Sequence, residues 1–277
     1  MSIQDLVPGQ ELSNSELSRI FKCSSQGGMR RSHRTNSLVI VSDYTKQFYE
    51  DGWEENTFYY TGMGLRGNQS LQFSQNKTLA ESNENGVLVH LFEVFERGKY
   101  VYQGEMMLQS KPYQETQSDV DNNERTVWIF PLKFKNNVSP VPIKKKSYIK
   151  KRNTKEKQAK RLTTDELKQR VSSLKPKRST RKIISEQFVR NEFVTEFIKR
   201  KANGRCQLCQ NPAPFTDKND QPYLEAHHVV WLSRKGTDTI DNVVALCPNC
   251  HRKMHILDSK DDKERLLNRA KMNRIEE

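Results

Sequence analysis

The sequence is poor in long apolar runs and in cysteine. Hydrophobic residues make up 34% of its 277 positions, and no run approaches the roughly 18 apolar residues of a membrane span. The first ten residues, MSIQDLVPGQ, lack the basic and then apolar stretch of a signal peptide. Five cysteines fit a reducing compartment better than a disulfide scaffold. We therefore expect a cytoplasmic protein with no membrane partner, long enough for two domains.

Most of the cysteines and histidines are crowded into the last third of the chain. Two C-x-x-C pairs, Cys206/Cys209 and Cys247/Cys250, have the spacing of a structural zinc site made of four thiolates. The 37 residues between the pairs exceed the roughly 15–20 of a simple zinc ribbon. The spacing therefore predicts that another element is inserted between the two halves of the zinc site.

The inserted segment and the residues after it predict a small ββα unit. Tyr223–Trp231 and Asn242–Leu246 are candidates for two short strands, and a helix is expected to begin near Pro248. His251 and His255, spaced four apart, would share one face of that helix and could ligate one ion. The alternative is that all these residues form one or two purely structural zinc sites.

The pattern L-E-x-H-H, then D-N, then C-x-x-C-H-x-x-x-H resembles the HNH nuclease family, in particular the McrA-like restriction enzymes. The resemblance covers roughly Arg205–Ile256. It implies a general base at His228, an orienting side chain at Asn242 and a carboxylate at Glu225 that bonds a ligand imidazole. It also implies that a catalytic Mg²⁺ or Mn²⁺ is held by three histidines, namely His227, His251 and His255.

The first 135 residues predict a mostly β domain. Four segments have the pattern of buried strands, and one has that of a short N-terminal helix, capped by Asn14 or Ser15. The strands are Ser37–Ser42, Val87–Phe95, Tyr100–Leu108 and Val127–Phe134, and the helix is Leu12–Phe21.

Within this domain, the stretch Tyr49–Asn76 resembles the SRA fold, which reads modified cytosine and has a β-barrel. The matching features are an acidic Y-E-D turn, an aromatic run into Y-T-G and a Gly-rich loop. The resemblance implies base flipping. Tyr49 and Tyr60 would sandwich the base, Asp51 (or Glu50) would accept from its amino group, and Thr61 would lie near the pocket. Arg66 and Gln69 would contact DNA from the Arg66–Ser70 loop.

The positive charge is concentrated between these two regions. The net charge is +13, yet residues 143–182 hold 17 lysines and arginines against three acids, which leaves the rest of the chain near −1. This segment is either a solvated linker or, beside a nuclease signature, a surface for DNA phosphates. A capping box at Thr163 and Glu166 predicts one short helix in it. The candidate DNA contacts are Lys144, Lys145, Lys146, Lys150, Lys151 and Arg152.

Together these features predict an α+β protein with an SRA-like domain (1–135), a basic helical linker (136–182) and an HNH module (183–277), in which a helix begins near Ser185. The predicted function is a modification-dependent DNA endonuclease of restriction type. It would act on double-stranded DNA as a homodimer, because one HNH site cuts one strand. The alternatives are an HNH homing or mobile-element nuclease that reads unmodified DNA, and a DNA-binding regulator without catalysis.

Overall fold

The computed structural model describes residues 1–46, 49–121, 123–136, 138–172 and 181–273. The chain divides into two compact units, Met1–Ser185 and Glu186–Glu277. The basic segment that the sequence suggests as a linker therefore groups with the first unit. None of the helices in the described ranges is long and apolar enough to cross a bilayer.

The first unit is built on one nine-stranded sheet. Its strands are β1 Glu11–Leu12, β2 Met29–Ser32, β3 Ser37–Asp43, β4 Gly52–Glu54, β5 Thr57–Thr61, β6 Leu88–Glu96, β7 Lys99–Leu108, β8 Tyr113–Ser118 and β9 Glu124–Phe134. Along the sheet the order is β2-β3-β6-β7-β9-β5-β4, with β1 added on β7 and β8 added on β9. β3 pairs with β6 in parallel and the other neighbours are antiparallel. Pairings among the described residues leave β2 and β4 as the two ends, so closure into a barrel stays a prediction.

The sheet buries side chains on both faces. In β3, Leu38 and Ile40 point into one apolar cluster, whereas Val39 and Val41 point into a second. Strand alternation produces this division, and burial on both faces explains why β3 is a continuous apolar run. The four predicted strands are confirmed as β3, β6, β7 and β9.

A short helix, α1 (Asn14–Phe21), covers the second cluster with its buried residues Leu17, Ile20 and Phe21. The helix is confirmed, but its cap is Ser13 and not Asn14 or Ser15. The Ser13 hydroxyl accepts from the Glu16 amide at 3.3 Å, while the Ser13 amide donates to the Glu16 carboxylate at 2.8 Å. This reciprocal capping box fixes the first turn. A second short helix, α2, spans Gln75–Ala80.

The basic segment folds into two helices, α3 (Lys145–Ala159) and α4 (Thr164–Ser172), which we call the basic arm. α4 begins as predicted, with the Thr163 amide donating to Glu166 at 2.7 Å. α3 was not predicted because it has no buried residue and hence no apolar periodicity. The strands flanking the arm, β10 (Ile143–Lys144) and β11 (Ile183–Ile184), pair with each other in parallel.

The second unit is a small α+β module. Its hairpin-like pair, β12 (Glu225–His228) and β13 (Val243–Leu246), is antiparallel, and all four residues of β13 are buried. Three helices surround it: α5 (Glu192–Lys201), α6 (Pro248–Leu257) and α7 (Lys260–Lys271).

The boundary of α5 differs from the predicted start near Ser185. Asn191 caps the helix, its side chain accepting from the Phe193 amide at 3.0 Å, so the helix starts at Glu192. Phe188 and Val189 consequently precede the helix and are exposed. Within α5, Ile198 is the buried residue.

Candidate metal centre and sheet cavity

Four thiols converge at one point of the second unit. The Sγ atoms of Cys206, Cys209, Cys247 and Cys250 all lie within 4.8 Å of one another. A turn brings the first pair together, with the Gln210 amide donating to the Cys206 carbonyl at 2.8 Å. The second pair straddles the start of α6. Zinc–sulfur bonds of about 2.3 Å in a tetrahedron separate the sulfurs by about 3.8 Å, so this donor set fits one structural zinc.

Three imidazoles form a second cluster. One ring nitrogen each of His227 on β12 and of His251 and His255 on α6 lies within 4.8 Å of the other two. Nε2 of His251 and Nε2 of His255 are 3.0 Å apart. Nε2 of His227 is buried and has no hydrogen-bond partner within the described chain. Converging imidazole nitrogens with a buried orphan among them fit a metal ion held by three histidines.

The surroundings keep these rings in a ligand-competent state. Burial, followed by the neighbouring His251 and His255, lowers the pKa of His227 to about 3, so its ring is neutral. The Glu225 carboxylate lies 2.5 Å from Nδ1 of His251. A proton on that Nδ1 leaves Nε2 with the free lone pair that a metal requires.

His228 is not a member of this cluster. It is the last residue of β12, where neighbouring side chains point to opposite faces. Its Nε2 lies 2.7 Å from Oδ1 of Asp238, in the loop before β13. Burial acts to raise the pKa of Asp238, but hydrogen bonds from His228 and from the Asn191 amide outweigh it and leave that pKa lowered. An ionised carboxylate only accepts, so Nε2 carries the proton and Nδ1 the lone pair.

The sequence did not identify Asp238. It lies in the loop segment G-T-D-T-I-D-N with a second acid, Asp241, and the D-N pattern contains Asp241 and not Asp238. The fold distinguishes the two acids: Asp238 contacts the imidazole, whereas Asp241 is exposed and accepts from the Thr239 hydroxyl.

The Asn242 side chain forms hydrogen bonds to backbone groups of the loop that carries Asp238. This side chain accepts from the Val230 amide at 2.8 Å and donates to the carbonyls of Val230 (2.9 Å) and Thr237 (2.7 Å). These bonds brace the loop that presents Asp238, and the role of Asn242 in orienting His228 stays a prediction. Gly236 completes the loop, because a Cβ there would lie 1.9 Å from the Val230 carbonyl oxygen.

A cavity of about 1080 Å³ lies in the first unit, between the sheet and the basic arm. Tyr49 and Asp51 form part of its wall on the sheet side, and Lys151 and Lys155 on the arm side. Burial raises the pKa of Asp51 to about 6, opposed by a hydrogen bond from the Thr61 amide at 2.8 Å. The Tyr49 hydroxyl accepts from the Gly64 amide at 3.2 Å. Of the two acids considered, Asp51 is the buried one and Glu50 is exposed.

Tyr60, Thr61 and Gln69 do not form part of this cavity wall. Tyr60 is 2% exposed within the sheet core, and its hydroxyl donates to the Gly28 carbonyl at 3.0 Å. Thr61 is buried next to the cavity, where its amide donates to Asp51. Gln69 is also buried and donates to the Gly62 carbonyl at 2.6 Å, so it braces the Gly-rich loop. In β5, alternation turns Phe58 and Tyr60 into the core, which corrects the expectation that Tyr60 stacks on a base.

The remaining DNA-contact candidates divide into three groups. Lys145, Lys146 and Lys150 are exposed on α3. Others are exposed but paired with an acid: Arg66 with Asp121 (2.6 Å), Lys144 with Glu11 (3.4 Å) and Arg152 with Glu156 (3.2 Å). Lys151 differs from all of these because it lies in the cavity wall, where burial lowers its pKa to about 8.

Two known family models match the chain, one within each of its two compact units. Residues 8–152 match the family model "ScoMcrA-like, SRA domain", and residues 206–256 match "HNH endonuclease". The type IV methyl-directed restriction enzyme EcoKMcrA of Escherichia coli (strain K12) is 49% identical over 77 residues, which are 28% of this chain and 27% of that protein.

Two solved structures are similar at low identity. The type IV phosphorothioation-dependent restriction endonuclease ScoMcrA is 18% identical with a TM-score of 0.40, covering 97% of this chain and 63% of that one. The modification-dependent TagI restriction endonuclease is 19% identical with a TM-score of 0.38, covering 92% and 79%. The matched family model spans just over half of the sequence, residues 8–152 of 277. The chain belongs to the ScoMcrA-like SRA domain family, and it carries an HNH endonuclease domain after the SRA domain.

Proposed function

We propose that this protein is a modification-dependent DNA endonuclease of restriction type. A cytosine bearing a 5-methyl or 5-hydroxymethyl group is flipped into the cavity beside Tyr49 and Asp51, and the HNH centre hydrolyses the phosphodiester backbone. The observation that carries the proposal is the His228–Asp238 pair at 2.7 Å next to a cluster of three convergent imidazoles. It supplies a base and a metal site in one small module.

In the hydrolytic step, His228 acts as the general base. Its Nδ1 takes a proton from water while the water oxygen forms a bond to phosphorus and the bond to the leaving oxygen breaks. The Asp238 carboxylate keeps Nε2 protonated and stabilises the imidazolium that forms. A divalent ion held by His227, His251 and His255 would stabilise charge on the scissile phosphate. Three imidazole donors suit a transition-metal ion such as Mn²⁺ better than Mg²⁺, which prefers oxygen ligands.

In the reading step, Tyr49 provides a stacking face and Asp51 a hydrogen-bond acceptor. The carboxylate accepts from the exocyclic amino group, a contact that suits cytosine and not thymine. The exposed cations of α3 hold phosphates without regard to sequence. We further propose that two chains act together on duplex DNA, because each HNH centre serves one strand. We also propose that the sheet of the SRA domain closes into a barrel.

The alternatives differ in what the protein reads and whether it cuts. A homing-type nuclease would cleave plain DNA at a fixed sequence, and a regulator would bind without cleavage. The intact histidine cluster supports catalysis, and the cavity with a buried carboxylate supports base reading.

The deciding experiment is a cleavage assay on matched plain, methylated and hydroxymethylated duplexes with Mn²⁺ or Mg²⁺. We expect cleavage of a modified duplex and little of the plain one. His228→Ala should lose cleavage while keeping DNA and metal binding, because neither depends on the proton acceptor. Equal cleavage of all duplexes would favour the homing-type alternative, and wild-type cleavage by His228→Ala would remove that residue from the mechanism.

A further inference from the structure

The basic arm is fastened at both of its ends to the sheet unit. β10 precedes it and β11 follows it, and these strands pair with each other. Arg181, just before β11, donates to Glu93 of β6 at 2.6 Å and to the Val141 carbonyl at 2.7 Å. Glu93 is 1% exposed, so this ion pair is buried. The arm therefore begins and ends at the same part of the sheet unit. Between these two points its helices form a wall of the cavity.

Two adjacent lysines of α3 have different surroundings. Lys150 is exposed and is not part of the cavity wall, as expected for a phosphate contact. Lys151 is half-buried and forms part of that wall, with its Nζ 3.4 Å from the centroid of the Tyr44 ring. The Tyr44 hydroxyl donates in turn to Glu93 at 2.8 Å. Burial is the main reason that the pKa of Lys151 falls to about 8; Glu93 and Asp51 act to raise this pKa, and Lys155 and Arg181 act to lower it further. A pKa of about 8 leaves the ammonium mostly charged at neutral pH, where the Tyr44 ring face attracts it.

An ammonium group and a carboxylate in the same cavity can both form hydrogen bonds to the Watson–Crick edge of one flipped base. The Watson–Crick edge of a flipped cytosine has an amino donor at one position and acceptors at N3 and O2. Thymine is reversed at two of these positions, with a carbonyl at C4 and an N–H at N3, and shares the O2 acceptor, so discrimination depends on the contacts at C4 and N3. Asp51 offers only acceptors and Lys151 only donors. Cytosine therefore satisfies both groups, whereas thymine would set a carbonyl against the carboxylate and an N–H against the ammonium.

We propose that Lys151 is a specificity-determining residue of the cavity, which donates from Nζ to the N3/O2 edge of the flipped cytosine while Asp51 accepts from its amino group. The proposal rests on the base flipping of the proposed function. It removes Lys151 from the set of phosphate contacts. Plain duplex that stays unflipped does not meet Lys151, so its loss affects the specific complex alone.

The test compares Lys151→Met with Lys150→Met, a matched control one position away on the same helix. Methionine keeps an unbranched side chain on Tyr44 and removes the charge. Binding is measured by fluorescence anisotropy in a His228→Ala background, so that the duplexes stay intact. Three duplexes differ at one position opposite guanine, which carries 5-methylcytosine, cytosine or thymine. Thymine has the same methyl group, and its mismatch opens more easily.

We expect Lys151→Met to lower affinity for the 5-methylcytosine duplex roughly 10- to 150-fold, the range of one hydrogen bond from a charged group, and to leave the other two duplexes unchanged. Lys150→Met should weaken all three by one common factor and reduce the salt dependence. Lys151→Arg, which keeps a charged donor, should restore part of the preference. If Lys151→Met does not melt cooperatively and is therefore not properly folded, Lys151→Arg still tests the proposal.

Three results would overturn the proposal. A common loss on all duplexes would make Lys151 a phosphate contact. A gain in affinity would mean that Lys151 blocks the cavity and that bound DNA has to displace it. An unchanged preference would exclude it from reading. If the unsubstituted His228→Ala protein shows no preference for the 5-methylcytosine duplex, the proposed function itself fails, and this outcome is recognised before any lysine variant is measured.

Discussion

Replacing Asp238 by alanine tests the base assignment most directly. The bond to be removed joins Nε2 of His228 to Oδ1 of Asp238 over 2.7 Å, with the side chains 7% and 21% exposed. A hydrogen bond to a charged group in such a setting contributes about 1.5–3 kcal/mol. The carboxylate gains most of this interaction as the imidazole becomes charged in the transition state. With about 1.36 kcal/mol for each factor of ten, the cleavage rate should fall roughly 10- to 150-fold.

The assay is single-turnover cleavage of a modified duplex with enzyme in excess, together with DNA affinity, zinc content and thermal melting. Asp241→Ala is the control, because it removes an exposed acid from the same loop. Asp238 also accepts from the Asn191 amide at 2.5 Å, so some loss of stability is expected. Asp238→Asn keeps the shape and should lie between wild type and alanine. A rate within twofold of wild type, or an equal loss in Asp241→Ala, would refute an orienting role.

The other predictions concern the zinc site, the reading carboxylate, the loop glycine and the arm. Cys250→Ser should abolish tightly held zinc, about one per chain in the wild type, and unfold the second unit, because that fold depends on the metal; folded protein without zinc would contradict this. The preference for modified DNA should decline as pH falls through about 6, where Asp51 gains a proton and stops accepting from the base, and Asp51→Asn should remove this pH step; a preference that is level from pH 5 to 8 would exclude Asp51. Gly236→Ala should destabilise the second unit by about 1–3 kcal/mol in urea unfolding, since its Cβ would meet the Val230 carbonyl, whereas Gly52→Ala, which has open space, should not. Neutralising Lys144 of β10 together with the solvent-facing cations of α3 should weaken binding to all duplexes alike and flatten its salt dependence, and a changed preference would instead make them readers; the α3 residues are Lys145, Lys146, Lys150 and Arg152.

The metal-binding groups were predictable because their spacing is local. A C-x-x-C turn and an H-x-x-x-H helix place their side chains together whatever the rest of the chain does. The cysteine cluster and the histidine cluster accordingly form from the residues that the sequence singled out. Asp238 was not predictable, since it reaches His228 through a loop whose path depends on Gly236 and Asn242.

The sheet unit likewise has some elements that could be predicted from the sequence and others that could not. Strands β3, β6, β7 and β9 are apolar on one or both faces and were recognised from that pattern. The aromatic residues of β5 were predicted to form a binding site. Assigning Tyr60 to the core requires the strand register, which comes from the pairing of β5 with β9. α3 presents no apolar face to detect, and its contact with the cavity wall, Lys151 over the Tyr44 ring, joins residues that are far apart in the sequence.

The order of the two adjacent histidines makes the nuclease site sensitive to strand register. β12 is four residues long, and its period of two sends His227 towards α6 and His228 towards Asp238. A slip of one residue would exchange the two faces and leave each histidine with the wrong partner. The wholly apolar β13 opposes this, because every shifted pairing would expose part of Val243–Leu246. Insertions or deletions inside β12 should therefore be far more damaging than the same changes in the loop 213–222.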